Sequence, residues 1–490
     1  MAISLVSVPL VLKALGASDY GIYHLVAGIV AMLSFLNASM TVSSQRYMSV
    51  AMGTKDESRV DKVFNASFWI HLIIGVAIVL LLECGAFFID KLNIPDERMG
   101  VALIIYQFLI VSTFIRILNV PFNALTNAHE DMLAFSVIDI IDSLCMLALA
   151  YALHFVTSDR LIFYGLCVAL IAVLNFIMLY GWTRHAYKQY RIRLKKNRDS
   201  LLIKEMFGFA GWNVFGAVAM IGRNQGIAVI INMFLGTIAN AAYGVANQIN
   251  GALLHFSETF QKAINPQLMK SEGMNDRKRL YKILFISSKF SVLALCFFAI
   301  PLIIEMQEVL HLWLGEDIPP FTLRLSQFIL LFSIVNQYSS GLKSAVQATG
   351  NIRNYQIIMG VLILMNLPVC YVLLKLGYPV YYVTAGYVVL EIISLVVRII
   401  IAHRITGMSV SDYMNNVIRT TLLIIGISTA LCLIPHFLIN EGFARLLITV
   451  LVFCSVYLFL IWCLAFDQLQ REGIRNTIKA KFNIFSKHIK

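Results

Sequence analysis

Residues 207–235 read FGFAGWNVFGAVAMIGRNQGIAVIINMFL. A helix rises about 1.5 Å per residue and a bilayer's hydrocarbon core is roughly 30 Å thick, so one crossing takes about 20 mainly apolar residues. The run is longer than that and holds a single charged residue, Arg223, near its middle. Its apolar residues are near-continuous rather than alternating, which excludes a strand of a membrane β-barrel. It reads as a membrane-spanning helix carrying a charge where charge is most costly.

The signature recurs outward in both directions. Fourteen segments fit it, at approximately 1–15, 21–45, 64–88, 100–123, 133–155, 161–183, 207–235, 240–263, 283–304, 321–346, 355–376, 380–402, 418–439 and 444–465. The connections are short, and none is long enough for a separate soluble domain. The composition agrees: 59% of 490 residues are apolar, only 13% are charged, and the mean hydropathy is +0.78. Soluble chains are nearer half apolar and a quarter charged. A cytosolic enzyme, a nucleic-acid-binding protein and a secreted disulfide scaffold are excluded. The eight cysteines lie in or beside apolar runs without a C-x-x-C pair and read as small buried side chains. The first segment, Met1 to Leu15, gives only about 22 Å of helix, so the chain start is expected to clip this span.

Lys and Arg concentrate in cytoplasmic loops. About 29 of the 39 basic residues fall on one side, including Arg184 to Lys204, Lys262 to Lys282, Lys343 with Arg353, and Arg471 to Lys490. This accounts for most of the +12 net charge and places both termini in the cytoplasm. The five tryptophans sit near segment ends, as interfacial anchors do.

The two halves echo each other. Leu15-Gly16 recurs as Leu235-Gly236, Tyr20-Gly21 as Tyr243-Gly244, Gly53 as Gly273, and Asn123-Ala124-Leu125 as Ser344-Ala345-Val346, at offsets of about 220, 223, 220 and 221 residues. Six spans per unit is an even number, so the units share an orientation and are expected to be related by an axis along the membrane normal. The reading is an all-α polytopic protein with about 14 transmembrane helices. It divides into a six-helix lobe (1–183), a basic linker (184–206), a second six-helix lobe (207–402), two further helices (403–465) and a basic tail (466–490). Two parallel lobes around a central cleft suit a transporter working by alternating access.

Val8-Pro9-Leu10-Val11-Leu12-Lys13-Ala14-Leu15-Gly16 leading into Asp19-Tyr20-Gly21-Ile22-Tyr23 resembles the opening of Wzx-type polysaccharide flippases. These belong to the MATE-like multidrug/oligosaccharidyl-lipid/polysaccharide exporter superfamily. Asn119 to Ala124, Ala128-His129-Glu130, Gly211-Trp212-Asn213, Asn240 to Ala246, Asn265-Pro266-Gln267, Ala348-Thr349-Gly350 and Asn366-Leu367-Pro368 fit in order over roughly residues 1–400. The resemblance implies a V-shaped pair of lobes and a flippase for undecaprenyl-pyrophosphate-linked glycan units in surface polysaccharide (O-antigen, lipopolysaccharide) synthesis. It implies residence in the bacterial inner membrane and association with glycan polymerisation machinery. No ATP use is implied, and no G-x-x-x-x-G-K-[ST] loop occurs.

A pyrophosphate head group calls for Arg or Lys in a water-filled cleft, and Arg forks onto phosphate oxygens. The candidate cleft residues are Arg223 with Asn224 and Gln225, Arg116 one turn before Asn119, Arg46, and Lys289. Arg116 and Lys289 could instead snorkel to an interface, and Arg46, at the end of its span, reads more readily as marking one. Asp139 and Asp142, three apart on one helix face, can bind Na⁺ or carry a proton for coupling, or else pair with Arg116 or Arg223. Glu83 and Glu391 are lone acids that read as partnered or near an interface rather than as coupling sites. Pro9, Pro301, Pro368 and Pro435 are expected to kink their spans. No catalytic motif, metal set or cofactor loop appears, so the chain does not read as an enzyme. The alternatives are an ion-coupled multidrug exporter of the same fold and, less favoured, a membrane enzyme of glycan assembly.

Overall fold

The computed structural model describes residues 2–466, less 32–33, 88, 90–93, 194–198 and 317, together with 468, 471 and 472. Most of the basic tail and the centre of the basic linker therefore lie outside the described residues.

The described chain is helical nearly throughout. In order the helices are α1 (Ala2–Ala31), α2 (Ser34–Gly53), α3 (Glu57–Ala86), α4 (Asp96–Ala128), α5 (Met132–Ala152), α6 (Arg160–Ala186), α7 (Ser200–Gly273), α8 (Arg277–Ile304), α9 (Met306–Leu314), α10 (Thr322–Gln337), α11 (Ser340–Thr349), α12 (Arg353–Leu364), α13 (Asn366–Lys375), α14 (Tyr381–Thr406), α15 (Val410–Tyr413), α16 (Thr420–Leu438) and α17 (Phe443–Leu460). Ten stretches among the described residues are long and apolar enough to cross a membrane, and α7 is counted as one of them despite its 74 residues. Each of the fourteen sequence segments falls on helix. Several segments share an element or divide into two. Segments 7 and 8 form α7, segment 10 is broken between α10 and α11, and segment 11 is broken just before Pro368. Leu80, Leu81, Leu170, Ile177, Val229 and Met233 point outward and exposed, the surface a bilayer covers. With every backbone group satisfied inside a helix, such faces can meet hydrocarbon.

Caps in the loops start the helices where the sequence offers an acid. Asp131 accepts from the Ala134 N–H (3.3 Å), Asp159 from those of Leu161 and Ile162, and Asp199 from that of Leu202.

Two compact units result. One comprises Met1–Val218 with Asn265–Arg277, the other Ala219–Ile264 with Lys278–Lys490. In the first, Ile70, Tyr106, Ile117, Phe122 and Leu125 are fully buried, and the Tyr106 hydroxyl donates to the Leu82 carbonyl at 2.6 Å, tying α4 to α3. In the second, Ile227, Ile231, Ala242 and Leu325 form a core. The helices after residue 403 belong to this unit. Tyr457 donates to the Leu293 carbonyl at 2.8 Å. Glu305, buried at the α8–α9 junction, accepts from His436, Arg445 and Thr449.

The internal repeat is written into the backbone. Gly16 (φ 81°, ψ 163°) and Gly236 (φ 76°, ψ −171°) both interrupt a helix in a conformation open essentially to glycine alone. Lys55 (φ 59°) matches Asn275 (φ 56°), and Glu130 (φ 63°) matches Gly350 (φ 83°). Each pair stands 220 residues apart. Within the first unit, a Cβ on Gly53 would lie 2.3 Å from the Lys270 carbonyl oxygen. A Cβ on Gly273 would lie 2.1 Å from that of Val50. Two helix ends meet there backbone to backbone, which only glycine permits.

Candidate functional site

Segment 10 is interrupted at Tyr338 and Ser339, between α10 and α11. The break places Asn336, Ser339 and Lys343 on successive turns. Facing them on α14, Glu391 and Arg398 are seven residues apart, two helical turns on one side. Glu391 is 4% and Arg398 3% exposed, and they form an ion pair. The Asn336 amide donates to the same Glu391 oxygen at 2.7 Å. Lys343 donates to Asn336 Oδ1 at 2.9 Å, and Arg398 to Ser339 Oγ at 3.0 Å. Arg398 Nε is buried with no hydrogen-bond partner among the described residues.

Arg223 on α7 joins this edge of the unit. Its guanidinium lies 5.0 Å from the Phe332 ring, one turn before Asn336, and donates to Asn224 Oδ1 from Nε (3.1 Å) and Nη2 (2.9 Å). It is 9% exposed and within electrostatic reach of Lys343. Asn224 and Gln225 are exposed. Among the described residues, this network thus sets three cations, Arg223, Lys343 and Arg398, against one carboxylate. A buried charge left uncompensated costs several kcal/mol, so a site of this balance favours an anion.

The matching positions of the first unit are also polar. By the 220-residue offset of the backbone (Glu130 to Gly350), one less than the 221 that the sequence pairing of Asn123 with Ser344 gave, Asn336, Ser339 and Lys343 correspond to Arg116, Asn119 and Asn123. Asn119 donates to Asn175 Oδ1 at 2.7 Å, and Asn175 donates on to Asp142 Oδ1 at 3.4 Å, a chain linking α4, α6 and α5. Arg116 is exposed on α4, near Tyr23. Asp139 is exposed on α5. Arg46 is buried, with its guanidinium 4.5 Å from the Tyr47 ring and 5.1 Å from the Phe209 ring.

The structure therefore distributes the sequence candidates. Arg223 and Asn224 lie in the second unit's network. Asn119 and Asp142 share the first unit's chain, while Arg46 sits in an aromatic niche of that unit. Lys289 donates to the Ala465 carbonyl at 2.6 Å, at the end of the last spanning stretch. Lys343, grouped by sequence with the loop cations, belongs inside with Asn336; this is a correction. The sequence reading also passed over Asn336 and Asn175. The 220-residue offset, which sets Asn336 opposite Arg116, was the signal that could have found Asn336; no sequence signal marks Asn175.

A family model described as "Polysaccharide biosynthesis protein" matches residues 1–272, and one described as "MatE" matches residues 217–372. The uncharacterized membrane protein EpsK of Bacillus subtilis (strain 168) is 20% identical over 276 residues, 56% of this chain; the chain spans about half of that relative, 54%. Among solved structures, a MATE point mutant aligns at TM-score 0.74 with 14% identity, over 83% of this chain and 93% of that one. An outward-facing multidrug resistance MATE family transporter of the MOP superfamily aligns at 0.69 with 16% identity, over 83% and 92%. A MOP superfamily transporter from Pyrococcus furiosus, whose binding pocket is described as of reverse polarity, aligns at 0.65 with 15% identity, over 83% and 95%. These likenesses establish the MATE fold.

Proposed function

The chain belongs to the polysaccharide biosynthesis protein family and is a multi-pass membrane protein of MATE fold; on that premise we propose that it flips a lipid-linked oligosaccharide, carried on undecaprenyl pyrophosphate, across the bacterial inner membrane. The observation that carries the reading is the cationic excess buried in the second unit, where Arg223, Lys343 and Arg398 face a single carboxylate among the described residues. A pyrophosphate head group offers the missing negative charge, and guanidinium groups match its oxygens bidentately. The glycan follows the head group while the polyprenyl tail stays in hydrocarbon. Alternating access moves the load, and Asp142 with Asp139 supplies a Na⁺ or H⁺ coupling site. In this reading the product feeds O-antigen or other surface polysaccharide assembly, with the glycan polymerisation machinery as a partner, and both termini are cytoplasmic.

A drug exporter of this fold would need acids and aromatics facing a cationic load; the balance of the second unit runs the other way. The test is complementation of a strain deleted for the gene. Arg223→Ala should abolish surface glycan at normal protein level, while Arg223→Lys should retain part of it. Full surface glycan with Arg223→Ala, or ethidium efflux that tracks expression, overturns the proposal.

A further inference from the structure

At the basic-loop end of the first unit, the chain leaves α6 and folds back over the ends of α3 and α4. Asn65 straps it down: its Nδ2 donates to the Arg191 carbonyl at 3.0 Å, and its Oδ1 accepts from the Arg193 N–H at 2.7 Å. Arg193 pairs with Asp61 at 3.0 Å. Beneath the strap lies a cavity of about 170 Å³, walled by Phe64, Phe122 and Tyr180, with Thr183 at its edge and Arg184 and Arg191 around it. At about 30 Å³ per water, it has room for a tetrahedral oxyanion and some solvent.

The cavity's cations and its apolar approach suit an amphipathic anion. Arg184 and Arg191 are exposed, and among the described residues neither guanidinium has a hydrogen-bond or ion-pair partner in the protein. Of the nearby acids, Asp61 is engaged by Arg193, and Asp131 by Trp182 (2.9 Å) and Tyr187 (3.0 Å); Glu57, exposed at the start of α3, lies within electrostatic reach of Tyr190. Leu170, Leu174 and Ile177 are exposed along α6 at helical spacing leading to Tyr180 and Arg184. An apolar face running up to two unpaired guanidiniums fits acyl chains below a phosphate.

We propose that this cavity binds a phosphate-bearing anion, presented by the head group of an anionic lipid in the leaflet on the basic-loop side. The site shares no residue with the second unit's network and does not depend on the transport reading.

The test uses the purified full-length protein in a neutral detergent. Binding of dihexanoyl phosphatidylglycerol, dihexanoyl phosphatidylcholine and inorganic phosphate is measured by the concentration dependence of thermal unfolding. Phosphatidylglycerol should bind and stabilise, with phosphatidylcholine at least tenfold weaker. The double variant Arg184→Gln with Arg191→Gln removes two charge-assisted contacts and should weaken binding by roughly tenfold or more. Asn65→Ala, which keeps both arginines but releases the strap, should weaken it as well. Lys278→Gln with Lys282→Gln, the same charge loss elsewhere, should leave it within about twofold. Inorganic phosphate binding as tightly as the lipid, and lost in the arginine variant, would sustain the anion site with free phosphate as its source. Equal binding of the two lipids, unaltered affinity in the double arginine variant, or an equal loss in the lysine control overturns the proposal.

Discussion

Replacing Glu391 with Gln keeps the shape of the side chain and leaves an oxygen for the Asn336 amide. It removes the only negative charge that, among the described residues, faces Arg398, Lys343 and Arg223. Both members of the ion pair are almost fully buried, at 4% and 3% exposed, so solvent screens little of the loss. Breaking such a pair from one side costs about 3–5 kcal/mol, because the remaining charge stays buried and unpaired. At about 2–4 °C per kcal/mol for a cooperative unit of 150–250 residues, the unfolding midpoint of the purified protein should fall by roughly 6–20 °C. Removing both charges with Glu391→Leu and Arg398→Met should restore most of that loss, since apolar replacement of a buried pair is often neutral or stabilising. Sulfate or phosphate should raise the midpoint of Glu391→Gln more than that of the parent, because the variant has a larger cationic excess. A Glu391→Gln midpoint within about 2 °C of the parent, or a double variant no more stable than the single one, would refute the account of this network.

Gly236→Ala forces an L side chain into φ 76°, ψ −171° and should cost about 1–3 kcal/mol, read as a lower unfolding midpoint. Gly222→Ala, with nothing nearer than 3.7 Å, should be neutral by comparison. Asn175→Leu strands the amide of Asn119 and one oxygen of Asp142 and should cost about 1–3 kcal/mol by the same measurement. Beyond the spans, burial first and then the Lys270 ammonium hold His129 neutral, pulling its pKa from 6.5 to about 4, while its ring stacks on Tyr187. The unfolded chain takes up this proton near pH 6.5 and the folded chain only near pH 4. Stability is therefore complete above 6.5 and drains away as pH falls toward 4. His129→Gln should flatten that part of the stability profile. Lys343→Met should abolish surface glycan in the complementation assay, whereas Lys282→Met should not; equal activity of the two would remove Lys343 from the mechanism.

Much of the architecture was legible from residues alone because a bilayer constrains a chain so strongly. A run such as 207–235 has one stable solution in hydrocarbon, a helix that satisfies its own backbone. The recurrence of Leu15-Gly16 as Leu235-Gly236 marked equivalent kinks, since the φ, ψ pair found at both glycines is closed to other residues. Arg223 announced itself by sitting at mid-span without an interface in reach.

Partnership was not legible. Lys343 looked like a loop cation because it closes an apolar run. Only the interruption between α10 and α11 turns it toward Asn336, and so toward Glu391 and Arg398 on α14. Lys289 read equally as a cleft or a snorkelling residue, and nothing in its own segment foretold that its ammonium would donate to the Ala465 carbonyl at the end of the last spanning stretch. The strap over the α6 end reads as a plain basic stretch until Asn65, more than 120 residues earlier, fastens it. Hydropathy and helix spacing are local properties, and sequence alone determines them for this protein. Which buried charge meets which is set by packing between segments far apart in the chain, and that choice belongs to the tertiary structure.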